Sequence, residues 1–499
     1  MMRSLFSGVS GLKSHQTRMD VIGNNIANVN TIGFKSSRVT FADTLYQTQT
    51  GAAAPTDTVG GTNPKQIGLG VGVASIDLLF TDASTQATGK NTDLALSGNG
   101  LFVVSTDKGG KDKYYTRAGA FSFDANYNYV VPGSGHHVVG WNADEDGKIP
   151  TMNTPEGIRI KDEMRSMKAK KTTEITYKGN LNSSVPTITE IKDQKGNPVA
   201  GGAANIDGTT IKSLTVTLSD GTKQTITAKS SYIYKIGNSL PITTIANVYD
   251  SLGNLHKVPF LFTKTPTATP PDPKGYDTWE VSVSPGVKGS TLDPVGQCSI
   301  HEEDGSWTTV AMGTQKLIFD QDGKHYSGQG KTKLTLQNGA GSPPTPPSTT
   351  PVDTMEVDVS WSSLTQYSGS DTIKADYDGH AAGTLKEINA DQSGILTGTY
   401  TNGEKRALAQ VAVAQFDNAQ GLTKKGANLY SESNNSGTAN IKTVSALGLT
   451  LTPSALEMSN VDVANEFADM VVTQRGFQSN SKIITVGDEM LETVINMKR

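Results

Sequence analysis

The sequence predicts a mainly β, multidomain fold with α-helices at both ends. The helices are expected to pair as in a coiled coil, and the domains to be nested and discontinuous. Three observations predict it. Apolar residues recur every seventh position near both ends of the chain, the mark of a helix that packs along another helix. Between the ends, short apolar runs alternate with clusters of Gly, Asn, Asp and Pro, the signature of strands and turns. Composition agrees: 18% of residues are charged, 6% are aromatic and 52 of 499 are Gly. That profile suits extended structure with many turns better than a deep catalytic cleft. A chain of this length is expected to hold about three domains.

Residues 3–29 carry the first helical pattern. Leu5, Leu12, Met19 and Ile26 mark the seam, with Val9 and Ile22 extending it. The helix is expected to stop near Asn28–Asn30, because Thr31-Ile32-Gly33 holds a breaker. Leu94-Ala95-Leu96 and Leu101–Val104 flank a turn signal at Ser97–Gly100. Further strands are expected at Ser213–Leu218, Trp279–Val283, Gln315–Phe319, Met355–Trp361 and Ala409–Phe416. Thr265–Lys274 and Gly341–Pro351 are Pro-rich and read as stiff loops or junctions.

The far end mirrors the first. Val463, Met470, Phe477, Ile484 and Leu491 are spaced by seven, and Phe467 and Ile495 belong to the adjoining row. Ser459 with Asp462 offers a capping box. Without Pro from Val461 to Met497, the helix can reach ~50 Å. Such a helix is not expected to be stable alone, so both ends are expected to be unordered in a dilute single chain and to fold on assembly. Periodicity leaves a second reading open, in which the helices cap the core of a monomer.

Ends that pair require domains inserted one within another. The expected plan is a helical domain at 1–30 with 460–499, a connecting segment at 31–75, and an inner β domain at 76–164 with 386–459. Residues 165–385 form an outer β-rich region, expected to be two domains, since one sandwich rarely needs that length.

Several classes are set aside. A net charge of -4 gives no basic footprint for nucleic acid. The single cysteine, Cys298, allows no disulfide within the chain and no Cys-based metal site. It reads as a small buried apolar residue. The first residues lack the apolar run of a cleaved signal peptide. No stretch approaches the ~20 apolar residues that span a bilayer. Those two readings leave a cytoplasmic protein, or export by a route without a cleaved signal. Gly68-Leu69-Gly70-Val71-Gly72 lacks the Lys-Ser/Thr ending of a phosphate loop. Asp124, Asn126 and Asn128 begin like a calcium loop, but Tyr129 stands where Gly is required, so a turn between strands is expected. Among the scattered histidines, His15 lies beside the seam and is expected at a helix–helix contact. With no catalytic constellation, cofactor motif or metal motif, the chain reads as a self-assembling structural subunit and not an enzyme.

The motifs on the same helices carry a resemblance. Asp20–Lys35, DVIGNNIANVNTIGFK, resembles the N-terminal signature of bacterial flagellar rod and hook axial proteins through Ala27, Asn28, Thr31, Gly33, Phe34 and Lys35. Ser459-Asn460-Val461-Asp462, Glu466-Phe467, Gln474-Arg475, Gln478, Asn480-Ser481-Lys482 and Met490-Leu491 resemble the C-terminal signature, with Phe477 where the family often has Tyr. Thr92–Phe102, Tyr115–Phe121, and Asn402-Gly403 followed by Leu408–Phe416 resemble the two halves of the family's first β domain. More than 200 residues separate those halves, and Val248–His256 resembles a segment of the hook type's middle domain.

The resemblance implies a subunit that polymerises into a curved hollow tube, joins rod to filament and transmits torque as a universal joint. It implies terminal helices lining the channel, and export through the flagellar type III apparatus to the outside of the cell. The implied partners are copies of the chain itself, the distal rod protein, the hook cap protein and the hook–filament junction protein. Other readings are a distal rod or junction subunit, or an adhesin-like β surface protein, for which Trp141, Trp279, Trp307 and Trp361 are too dispersed to form a groove. Some spirochaete members are joined by a Cys-derived cross-link to Lys, but nothing around Gly296-Gln297-Cys298-Ser299 shows that chemistry.

Overall fold

The computed structural model describes residues 2–206, 210–227, 230–266, 277–283, 297–301, 307–326, 331–339 and 354–497. Thr265 and Pro266 apart, the Pro-rich segments lie outside the described residues. The chain forms two compact units, Met1–Ser166 with Leu385–Arg499, and Met167–Thr384.

In the first unit the N-terminal helix spans Met2–Ala27. An antiparallel ribbon follows, Ser37–Asp43 against Val71–Leu78, with a second hairpin at Tyr46–Thr50 and Lys65–Gly68. The β body is built around the strand Lys405–Gln415. That strand pairs with His137–Asn142, Ile395–Tyr400, Leu101–Ser105 and Asn440–Thr443. Its side chains alternate between two cores. Ala409, Val411 and Val413 join Phe102 and Val104 on one face. Ala412 and Ala414 join Leu101, Val103 and Tyr115 on the other. A sheet buried on both faces needs apolar residues at every position, which is why Leu408–Ala414 reads as a nearly continuous run. The turn at Ser97–Gly100 does not close a hairpin. Leu94–Ser97 leaves the sheet to pair with Thr450–Pro453, while Leu101–Ser105 pairs with Lys113–Thr116.

In the second unit, a sheet of six strands and a sheet of four share one core. Trp279 and Trp361 are fully buried there, with Tyr177 stacked on Trp361 at 5.0 Å. Glu174–Asn182 and Thr354–Tyr367 run parallel in the larger sheet. Cys298 packs into this core, 2% exposed. A separate, smaller cluster of Ile188, Ile191, Ile206, Leu214 and Val216 is formed by short strands between residues 188 and 235. The expected strands are present here, as Leu214–Leu218, Asp277–Val283, Gln315–Phe319 and Thr354–Tyr367.

One turn recurs in both units. The Oδ1 atoms of Asp144, Asp193, Asp250, Asp320 and Asp391 each accept the backbone N–H four residues on, at 2.8 Å. The residue between, Gly147, Gly196, Gly253, Gly323 or Gly394, has φ between 72° and 91°, a region that glycine enters without strain. Asp124 makes the same turn between Ser122–Phe123 and Tyr129–Val130, with Tyr127 in the left-handed position. The calcium-like spacing there is therefore a carboxylate-pinned hairpin. No described helix is long and apolar enough to cross a membrane.

Candidate assembly site: the terminal helix pair and its ionic root

The helices Met2–Ala27 and Val463–Asn496 pack antiparallel. Leu5 meets Gly487, Ile484 meets Gly8, Asn480 meets Gly11, and His15 meets Gly476. Each large side chain sits where the facing helix has no Cβ. A methyl group on Gly476 would lie 2.6 Å from the His15 ring, one on Gly11 2.6 Å from the Asn480 side chain, and one on Gly487 2.7 Å from Leu5. Polar ties fix the other end: Arg18 to Asp469 at 2.9 Å, and Asn25 Nδ2 donating to Glu466 at 2.9 Å. Asn25 also closes a ring of two hydrogen bonds with the backbone of Ser37.

The buried positions of the pair are Gly8, Gly11, Ser14, Ile22 and Asn25 on one helix, and Thr473 and Gly487 on the other. The seam read from apolar spacing lies beside that line. Leu5, Leu12, Met19, Ile26, Val463, Met470, Ile484 and Leu491 are half-buried. Phe467, Phe477 and Ile495 are exposed, at 52%, 41% and 66%. Phe6, Val471, Val472 and Val494 are exposed as well. Apolar periodicity located the outer flank, because glycine contributes nothing to a hydrophobic count. The two ends are helical and paired here, where glycine holes and the Arg18 and Asn25 ties let the backbones approach closely. The cap differs from the expected box: Asp462 itself accepts from Ala464 and Asn465 N–H, and Ser459 lies outside the helix.

The N-terminal motif forms the helix's foot. Ala27 is its last residue, and Thr31 Oγ1 donates to Asn28 Oδ1. Gly33 has φ 68°, and a Cβ there would lie 2.6 Å from Ala118 N, so both conformation and space demand glycine. Phe34 is buried beneath Lys424, whose Nζ lies 4.7 Å from the ring. Lys35 is fully buried. Its Nζ donates to Glu457 at 2.8 Å and to Thr81 O at 2.6 Å. Arg117, 2% exposed, pairs with the same Glu457 carboxylate. It also donates to Asp82 at 2.8 Å and to the carbonyls of Leu96, Gly98 and Gly100. Burial pulls the Lys35 ammonium pKa below its ordinary value, and the Glu457 carboxylate opposes that shift. Asn460 completes the root, accepting from Ser36 N and donating to Leu79 O, both at 2.8 Å. Sequence reasoning passed over Asn25, Asp82 and Glu457. The available signal was a lone Glu in the otherwise uncharged run Ala455–Ser459.

His15 makes the pair sensitive to pH. Its ring lies edge-on to Phe41 at 5.9 Å, and its Nδ1 is shut from solvent without a hydrogen-bond partner. Burial, then the charge of Arg18, hold its pKa below 6.5. The folded pair favours neutral imidazole, so its contribution is complete above pH 6.5 and is lost as pH falls through the lowered value. Glu466, raised by burial, acts in the opposite sense at more acid pH. Helical circular dichroism should therefore decline on acidification below pH 6.5, and His15→Gln should flatten that part of the curve. An unchanged curve would remove His15 from the contact's energetics.

Comparisons with known proteins place these features. The family description "Flagella basal body rod protein" matches residues 5–35 and "Flagellar hook protein FlgE/F/G D1 domain" residues 95–177. "Flagellar basal body protein FlaE D2 domain" matches 238–380 and "Flagellar basal body rod FlgEFG protein C-terminal" 452–497. The chain is 36% identical to the flagellar hook protein FlgE of Treponema pallidum and 35% identical to that of Borreliella burgdorferi, each over 100% of both chains. It is 30% identical to that of Escherichia coli over 98% of both chains.

Proposed function

Because the chain belongs to the flagellar hook proteins and is a structural subunit of the flagellar hook, we propose that it polymerises into a curved hollow tube joining rod to filament. The tube transmits torque while bending, as a universal joint. The observation that carries the reading is the terminal helix pair. Its inner seam is closed by glycine holes within one chain, while Phe467, Val471, Val472 and Ile495 stand uncovered on its outside. Apolar side chains on a long helix pair are covered when copies of the same pair stand around it. In this proposal the helices form the channel-lining layer. The ends of the polymer meet the distal rod protein, the hook cap protein and the hook–filament junction protein. Subunits leave the cell through the flagellar type III apparatus. The work is mechanical, and no catalytic step is assigned to any residue. Electron microscopy of cells lacking the gene tests the proposal: hooks should be absent while basal bodies remain. Intact hooks would refute it.

A further inference from the structure

We propose that Lys35, Arg117 and Glu457 form a coincidence lock, by which the foot of the N-terminal helix docks only when the foot of the C-terminal helix has docked as well. The argument rests on charge and burial. Lys35 and Arg117 are 0% and 2% exposed, and among the described residues the only carboxylate buried with them is Glu457, 1% exposed. Asp82, the other carboxylate of the cluster, is 53% exposed. One buried anion therefore serves two buried cations. Removing one partner of a buried ion pair leaves an uncompensated charge, a far larger penalty than losing an exposed pair. Lys35 stands eight residues after the N-terminal helix and Glu457 six before the C-terminal one.

The backbone repeats the coupling. Gly33 N–H donates to Glu457 O at 2.8 Å, Asn460 N–H to Phe34 O at 3.4 Å, and Ala83 N–H to the Glu457 carboxylate at 3.1 Å. A chain whose C-terminal segment is not yet in place would have to bury Lys35 and Arg117 with no buried anion, so residues 33–36 stay undocked. The helix foot is thereby withheld until the chain is complete. Only the use made of the lock rests on the proposed function; the lock itself is read in the single chain.

Amide hydrogen exchange on the full-length protein tests it. Glu457→Gln keeps the shape and removes the charge. It should lower protection at Gly33, Ser36 and Met458 together by about tenfold or more, while Leu101–Ser105 stays protected. The triple variant Lys35→Met, Arg117→Met and Glu457→Leu removes all three charges and should bring Gly33 back to near wild-type protection. Full protection of Gly33 in Glu457→Gln would overturn the lock. So would a triple variant as open as Glu457→Gln, because charge imbalance would not be the cause. Loss of protection at Leu101–Ser105 as large as that at Gly33 in both variants would overturn it too, since the residues would then hold the core and not one segment.

Discussion

Gly476→Leu should abolish polymer formation while leaving both β-rich units folded. A Cβ at this position already falls 2.6 Å from the His15 ring. The ring is backed by Phe41, edge-on at 5.9 Å. A leucine side chain there pushes the helices apart at this contact and weakens the neighbouring Arg18–Asp469 tie. Overpacking of a closed contact costs about 1–3 kcal/mol, a large fraction of what a pair with so few fully buried residues can supply. Sedimentation of assembly mixtures should show no polymer, and the thermal transition of the β-rich units should be unchanged. Gly476→Ala should show the same defect in weaker form. Wild-type polymer yield from Gly476→Leu would mean that the seam is not kept in the assembled state.

Arg117→Met should destabilise the first unit by about 3–5 kcal/mol, because Lys35 still balances the Glu457 charge but the carbonyls of Leu96, Gly98 and Gly100 lose their donor, at about 1–3 kcal/mol for each buried group left unsatisfied. The methionine fills similar space, so the loss isolates the polar contacts. Glu457 would keep only Lys35 and Ala83 N–H, and the carbonyls of Leu96, Gly98 and Gly100 would lose their shared donor. The melting temperature of that unit should fall by about 6–20 °C, with the transition of Met167–Thr384 unmoved. A fall below about 2 °C would show that Asp82 and solvent compensate for the missing guanidinium.

The fold was legible where a periodic signal existed. Heptad spacing gave both helices, and apolar runs gave Gln315–Phe319 within its own bounds and most of Lys405–Gln415. The site was legible only in part, for two physical reasons. Glycine holes such as Gly11 and Gly476 define the inner seam by absence, so the apolar residues pointed to the flank. Glu457 acts through partners far away in the chain, at Lys35 and Arg117, and local pattern carries no information on such pairings. The turn signal at Ser97–Gly100 carried no information on the partners of its flanking strands, for a related reason. Its carbonyls are held by Arg117, so the chain leaves one sheet for another instead of folding back.

The carboxylate-pinned turns bear on how quickly the chain can recover its shape. Each Asp finds its partner four residues along its own backbone. Nothing distant is needed to start the hairpin, and short loops close at small entropic cost. A subunit delivered as an extended thread could thus nucleate many strand pairs at once, within the time of a local hairpin event of about 1–10 μs. The long-range joins would remain as the slow steps, among them Lys405–Gln415 with Leu101–Ser105 and Glu174–Asn182 with Thr354–Tyr367.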